Sequence, residues 1–196
     1  MFNLLLTSLL FCVGFEAGGG ATCEKAFGED LQDFEPTLSW WAEAGVRDVL
    51  PGIGFDLGMR RFGVEKESRE DSLEQLLRWE AYFFDATAVF ESWPYLKGPL
   101  GLRFRVGGSY VPWKMLAAGE VIPVICEDTP ADTLYMEAND WGVILGGSVM
   151  FRPISFLIID AGVNHRHIFS MNTEDYGEDD SDERFMEVYL GARFRF

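Results

Sequence analysis

The feature that most restricts this chain is an alternation of apolar and non-apolar residues that recurs from about residue 38 to the end. At the C-terminus Met186, Val188, Leu190, Ala192, Phe194 and Phe196 alternate with Glu187, Tyr189, Gly191, Arg193 and Arg195. A period of two puts the two sets on opposite faces of a β-strand. Leu100, Leu102, Phe104 and Val106 stand in the same way against Gly101, Arg103, Arg105, Gly107 and Ser109. So do Val143 to Phe151, Leu157 to Val163, Ile53 to Met59, Trp40 to Val46 and Phe84 to Phe90, which makes seven segments of one kind.

The non-apolar face decides how these strands are used. In a soluble sheet that face meets water and is rich in Lys, Glu and Thr. Here it carries Gly, Ser, Arg and Asp, which suits the inside of a narrow barrel where small residues leave room and opposite charges neutralise one another. The apolar face then meets lipid, and about 9 to 11 residues per strand is the length of a tilted membrane-spanning strand. The expected fold is therefore all-β: a transmembrane up-and-down antiparallel barrel of eight strands. Glu43, Asp56, Arg60, Asp85, Arg103, Arg105, Asp160, Arg166, Glu187 and Arg193 are expected to face inward as a salt-bridge network that fills the lumen. A narrow pore for small solutes is the alternative use of the same residues. A soluble ligand-binding barrel would require the two faces to be exchanged. Trp40, Trp41, Trp79, Trp93, Tyr95, Tyr110, Trp113, Trp141 and Phe169 fall near strand ends and fit two interfacial aromatic girdles.

Charge and loop length support the membrane reading. The connections alternate between short (48–52, 94–98, 153–154) and long (64–75, 114–139, 170–183), as in barrels with tight turns on the periplasmic side and loops outside. Residues 65–74, 127–140 and 174–183 carry fifteen of the sixteen net negative charges. A net charge of -16 argues against nucleic acid as a partner. Six Trp, six Tyr and 17 Phe are too many for a disordered acidic chain. The longest apolar run, residues 2–15, is too short for a helical span.

Residues 1–21, an apolar block followed by Gly18, Gly19, Gly20 and Ala21, read as a secretory signal peptide. The barrel is expected over 37–196, with 22–36 as an N-terminal segment and possible first strand. Cys23 is expected on the periplasmic side and Cys126 outside, so that they do not pair.

These residues resemble the small outer-membrane barrels of the OmpX, OmpA transmembrane-domain and opacity type. Val188, Leu190, Ala192, Phe194 and Phe196 look like that class's C-terminal assembly signal, and Gly45 to Gly63 is similar to its second and third strands. The resemblance implies a bacterial outer-membrane location. It also implies insertion machinery that reads the last strand, and contact with outer-membrane lipid and lipopolysaccharide. The reading of function is a non-enzymatic structural or surface-interaction protein acting through acidic external loops, with an external ligand left open.

Little in the chain points to chemistry. A lipid-modifying enzyme would use a His and a Ser, here His165 or His167 with Ser170, but odd separations place the Ser on the opposite strand face. The acidic run 174–183 matches no calcium loop. No catalytic residue, metal site or cofactor is expected.

Overall fold

The computed structural model describes residues 14–27, 31, 33–70, 73–93, 98–125, 133–170 and 182–196. Eight long strands make up the molecule: β1 Gly14–Ala26, β2 Leu38–Leu50, β3 Ile53–Glu70, β4 Leu73–Glu91, β5 Leu100–Ala117, β6 Glu137–Ile154, β7 Leu157–Phe169 and β8 Glu183–Arg195. Each pairs antiparallel with its neighbours in the chain, and β8 pairs with β1, so the sheet closes on itself. Closure removes the edges that an open sheet would leave in lipid. Four short segments decorate one end. Glu35–Pro36 pairs with β3, Glu120–Val121 folds back on β5, and Pro123–Ile125 pairs with Thr133–Tyr135.

That end holds the long connections and is called the loop end. The turn end holds the tight turns and both termini of the barrel. One tight turn joins β2 to β3, where Asp48 (φ 57°) and Gly52 (φ 74°) take left-handed conformations and the Gly52 amide donates to Asp48 Oδ1 at 3.3 Å. Phe196 exchanges two backbone hydrogen bonds with Phe15 and secures the seam there.

Outside, the alternation forms a continuous apolar band. On β5 it runs from Leu100 through Leu102, Phe104 and Val106 to Tyr110. Ten residues at about 3.3 Å each, tilted by about 40°, rise roughly 25 Å, the height of the apolar band of outer-membrane barrels.

Above the band the pattern turns inside out. On β3 the outward positions change from Phe55, Leu57 and Met59 to Arg61 and Glu65, while the inward ones change from Asp56 and Arg60 to Phe62 and Val64. On β4 Arg78 and Glu80 point outward and Trp79, Ala81 and Phe83 inward. There the wall separates water from an interior, as in a soluble barrel, so the interior becomes apolar. Phe62, Trp79 and Phe185 form its centre, with ring centroids 4.8 to 5.5 Å apart, joined by Phe83, Val111 and Ile168. Leu31 and Phe34 cover this layer from the first loop. A smaller apolar cluster, Trp93, Met150 and Ile158, lies at the turn end.

Several expectations require correction. The first strand is Gly14–Ala26, so it begins inside the segment read as signal peptide, and a cut after Ala21 would remove more than half of it. The strand was hidden because its outward residues, Ala17, Gly19 and Ala21, are small. Residues 1–13 lie outside the described residues. Cys23 is an exposed thiol near the loop end of β1, opposite Leu38 and Val188, not on the periplasmic side. Cys126 lies outside the described residues. The stretch 64–75 is not a loop, because the β3–β4 ladder continues to Glu70 opposite Leu73. Trp41, Trp79 and Trp93 are buried inside the barrel, while Trp40, Trp141 and Phe169 are exposed on its outer surface. Tyr95 lies outside the described residues.

Candidate functional site: the charged lumen

The inward face between the two apolar layers holds the ionisable groups. All ten residues expected in the lumen are buried there, and five others join them: Glu16, Glu24, Arg47, Glu91 and Arg195. Arg47, Glu91 and Arg195 share the parity of the residues already identified and lie further along the same rows, toward the turn end. Glu16 and Glu24 became legible only with β1.

The network is built in three tiers. Nearest the turn end, Arg47, Arg103 and Arg195 surround Glu16, Asp56 and Glu91. Glu16 accepts from Arg47 at 2.9 Å, Arg103 at 2.6 Å and Arg195 at 2.6 Å, while Asp56 pairs with Arg47 at 2.6 Å. Glu91 is bound by Arg103 and by Arg195 at 2.7 Å. In the middle tier Arg105 and Arg193 hold Glu43, each at 2.7 Å, and Arg193 also holds Asp160 at 2.7 Å. Arg105 donates to the Tyr189 hydroxyl at 2.9 Å. The guanidinium of Arg193 lies 4.6 Å from the Trp41 ring.

The tier nearest the loop end contains Arg60 and Arg166 with Asp85, Glu187 and Glu24. Arg60 bonds Glu187 and Glu43, and its Nε donates to Asp85 Oδ2 at 3.0 Å. Arg166 donates to both Asp85 oxygens, at 2.7 and 2.9 Å, and pairs with Glu187 at 3.3 Å. Ser109 donates to Asp85 at 2.6 Å and Asn164 to Glu187 at 2.8 Å. Glu24 differs from the rest: it is 1% exposed, and its carboxylate has neither a hydrogen bond nor an ion pair among the described residues. Eight acids thus face seven guanidinium groups, and the surplus acid lies in this tier.

Glycines bring these charges together. A Cβ on Gly45 would overlap Asp56 and the Phe55 carbonyl, one on Gly146 would overlap Asn164, and one on Gly191 would overlap Trp41. Ion pairs in low dielectric hold only when their donors and acceptors are largely matched. The arrangement is suited to bracing the wall and excluding solvent.

The remaining expected residues are on the outer surface. Val188, Leu190, Phe194 and Phe196 are exposed on the lipid-facing side of β8, and Ala192 lies in the same row. His165 faces outward. His167 Nε2 is 2.9 Å from Asp182 Oδ2, and Asp182 Oδ1 accepts from the Ser170 backbone amide at 3.2 Å. Residues 174–181 of the acidic run lie outside the described residues.

No protein-family model and no curated protein matches the sequence. Solved structures do match over nearly the whole chain. Neisserial surface protein A aligns with a TM-score of 0.58 at 17% identity, covering 93% of this chain and 97% of its own. Ail, the attachment invasion locus protein of Yersinia pestis, aligns at 0.56 and 12%, covering 94% and 99%. The outer membrane protein OprG of Pseudomonas aeruginosa aligns at 0.55 and 8%, covering 93% and 95%. With its closed eight-stranded sheet, outward apolar band and charged interior, the chain has the fold of the small outer-membrane β-barrels of bacteria.

Proposed function

We propose that the protein is a non-conducting, non-enzymatic barrel of the bacterial outer membrane that acts at the cell surface through its acidic loop end. The observation that carries this is the filling of the lumen: paired charges through the middle and an aromatic layer across the loop end. A water-filled path would need those groups solvated, and most of their polar atoms are instead bonded to one another. The insertion machinery would read the outward row from Val188 to Phe196, and lipid and lipopolysaccharide would contact the apolar band.

The charge of the loop end indicates the kind of surface partner. Ail has been crystallised with a heparin analogue, sucrose octasulfate, which is a polyanion. The chain carries fifteen net negative charges in the segments at this end, so it would repel such a ligand and favour a basic protein surface or bridging divalent cations.

Planar-bilayer recording tests the central statement. Purified protein is expected to give no conductance steps above the bare membrane. Steady steps from the wild-type chain would overturn the reading in favour of the small-solute pore. Turnover of lipid A or phospholipid that disappears with His167→Ala would overturn the non-enzymatic part.

A further inference from the structure

The charges of the lumen balance at two of its three levels. Nearest the turn end Arg47, Arg103 and Arg195 match Glu16, Asp56 and Glu91, and in the middle Arg105 and Arg193 match Glu43 and Asp160. Nearest the loop end Arg60 and Arg166 face Asp85, Glu187 and Glu24, which leaves one negative charge over. Each of the other lumen acids has an ion pair with at least one guanidinium, and Glu24 has none among the described residues. Bulk water does not take the guanidinium's place, because Glu24 is buried and the apolar layer that begins with Ala26 on the same strand separates it from the loop end.

The neighbours of Glu24 are already committed. Directly opposite it across the β1–β8 seam stands a second acid, Glu187. The charges that act on it belong to Glu187 on β8, Arg166 on β7, Arg60 on β3 and Asp85 on β4. Arg60 already bonds three acids and Arg166 two. A buried carboxylate without a partner is among the costliest arrangements a fold can hold, so a further positive group belongs beside it.

We infer that Glu24 and Glu187 together bind one alkali cation, sodium or potassium, at this seam. A single positive charge completes the balance of the tier, whereas a divalent ion would leave an excess beside two guanidinium groups. Hard cations take oxygen ligands, and this face supplies them. Both oxygens of Glu24 are unpartnered, and among the described residues Glu187 Oε1 accepts only from Arg60, which leaves it a lone pair. Thr22, the next inward residue on β1, gives its hydroxyl hydrogen to the Val188 carbonyl at 3.4 Å and keeps its oxygen lone pairs. Thr22 and Ala26 are short, so β1 itself does not crowd the carboxylate between them. Among the described residues no three Asp, Glu, His or Cys side chains gather as a metal cage would need, which favours a monovalent ion over calcium or zinc. β1 and β8 are the first and last strands, so the site exists only in the closed barrel. The ion therefore binds the folded chain and not the unfolded one, and stabilises it by mass action.

Urea unfolding of the detergent-purified barrel, at one pH and one ionic strength, in sodium, potassium or N-methylglucamine chloride, tests this. Glucamine is too large to enter the seam. The wild type is expected to have a higher midpoint in at least one alkali chloride than in the glucamine salt. Its folding equilibrium constant should rise roughly ten-fold for each ten-fold increase in that cation above the dissociation constant. Glu24→Gln should abolish the dependence and leave the midpoint in glucamine chloride unchanged or raised. Glu80→Gln is the control, since Glu80 faces outward on β4 and pairs with Arg61 and Arg78, and it should keep the dependence. Equal wild-type midpoints in the three salts would overturn the site, and this comparison needs no variant to fold. Equal midpoints that fall together as the pH is raised would assign the balancing charge to a proton and overturn the ion. The same dependence in Glu24→Gln as in the wild type, or its loss in Glu80→Gln as well, would reduce the effect to general screening and overturn the site.

Discussion

Replacing Arg60 by Met tests whether the lumen is a dry braced network. Arg60 is fully buried, bonds Glu43, Asp85 and Glu187, and lies 5.7 Å from both the Trp41 and the Tyr189 ring. Methionine fills much of the volume but supplies no donor. Each acid keeps another partner: Glu43 has Arg105 and Arg193, Asp85 has Arg166 and Ser109, and Glu187 has Arg166 and Asn164. The loss therefore comes from uncompensated charge in an already acid-rich tier, and removal of one partner from a buried pair costs about 3–5 kcal/mol. With a urea slope of about 2–3 kcal/mol/M, the unfolding midpoint in detergent micelles should fall by roughly 1.5 M. Arg61→Met is the comparison, since Arg61 is the next residue, faces outward and pairs with Glu80 while about a third exposed; its loss should cost less than about 1 kcal/mol. Adding Glu187→Gln to Arg60→Met should recover part of the stability. Equal midpoints for the two single variants would mean that Arg60 is solvated, and would refute both the bracing argument and the filled lumen.

Glu24→Gln removes the surplus acid from the same tier, where Glu24 stands directly opposite Glu187 across the β1–β8 seam. Because like charges paired across strands are unfavourable, the urea midpoint in N-methylglucamine chloride should stay or rise, and a clear fall there would show that the carboxylate has a partner outside the described residues. Gly191→Ala should cost about 1–3 kcal/mol in the same assay, since its Cβ would overlap the Trp41 ring and meet the Gly19 carbonyl at 2.5 Å; wild-type stability would show that the seam is looser than drawn. Deleting Phe196 removes two backbone hydrogen bonds and an 81% exposed ring, so refolded protein should lose no more than about 2 kcal/mol. The same deletion should sharply reduce the heat-modifiable protein recovered from cell membranes, and normal recovery would argue against an assembly role for the last strand.

What the sequence showed and what it hid have one cause. The alternation is clear where a strand separates lipid from charge, because the two environments demand opposite residue types at successive positions; Leu102 against Arg103 and Val188 against Glu187 are examples. Glu16 was hidden because β1 faces lipid with Ala17, Gly19 and Ala21, and its neighbours Gly18 and Gly20 leave room for the opposing strand, so the run resembles a cleavage region. Trp79 and Phe83 were hidden for another reason. Above the bilayer the outside of the wall is water, and the inward positions that carry Asp85 and Arg60 lower down carry Trp79 and Phe62 there. A strand that leaves the membrane keeps its period of two but exchanges the meaning of its faces. The residue at which the exchange occurs marks the membrane boundary: between Met59 and Arg61 on β3, and near Tyr82 on β4. Asn139, Lys114 and Tyr82 stand at that boundary on neighbouring strands, where a polar side chain can face outward beside hydrocarbon.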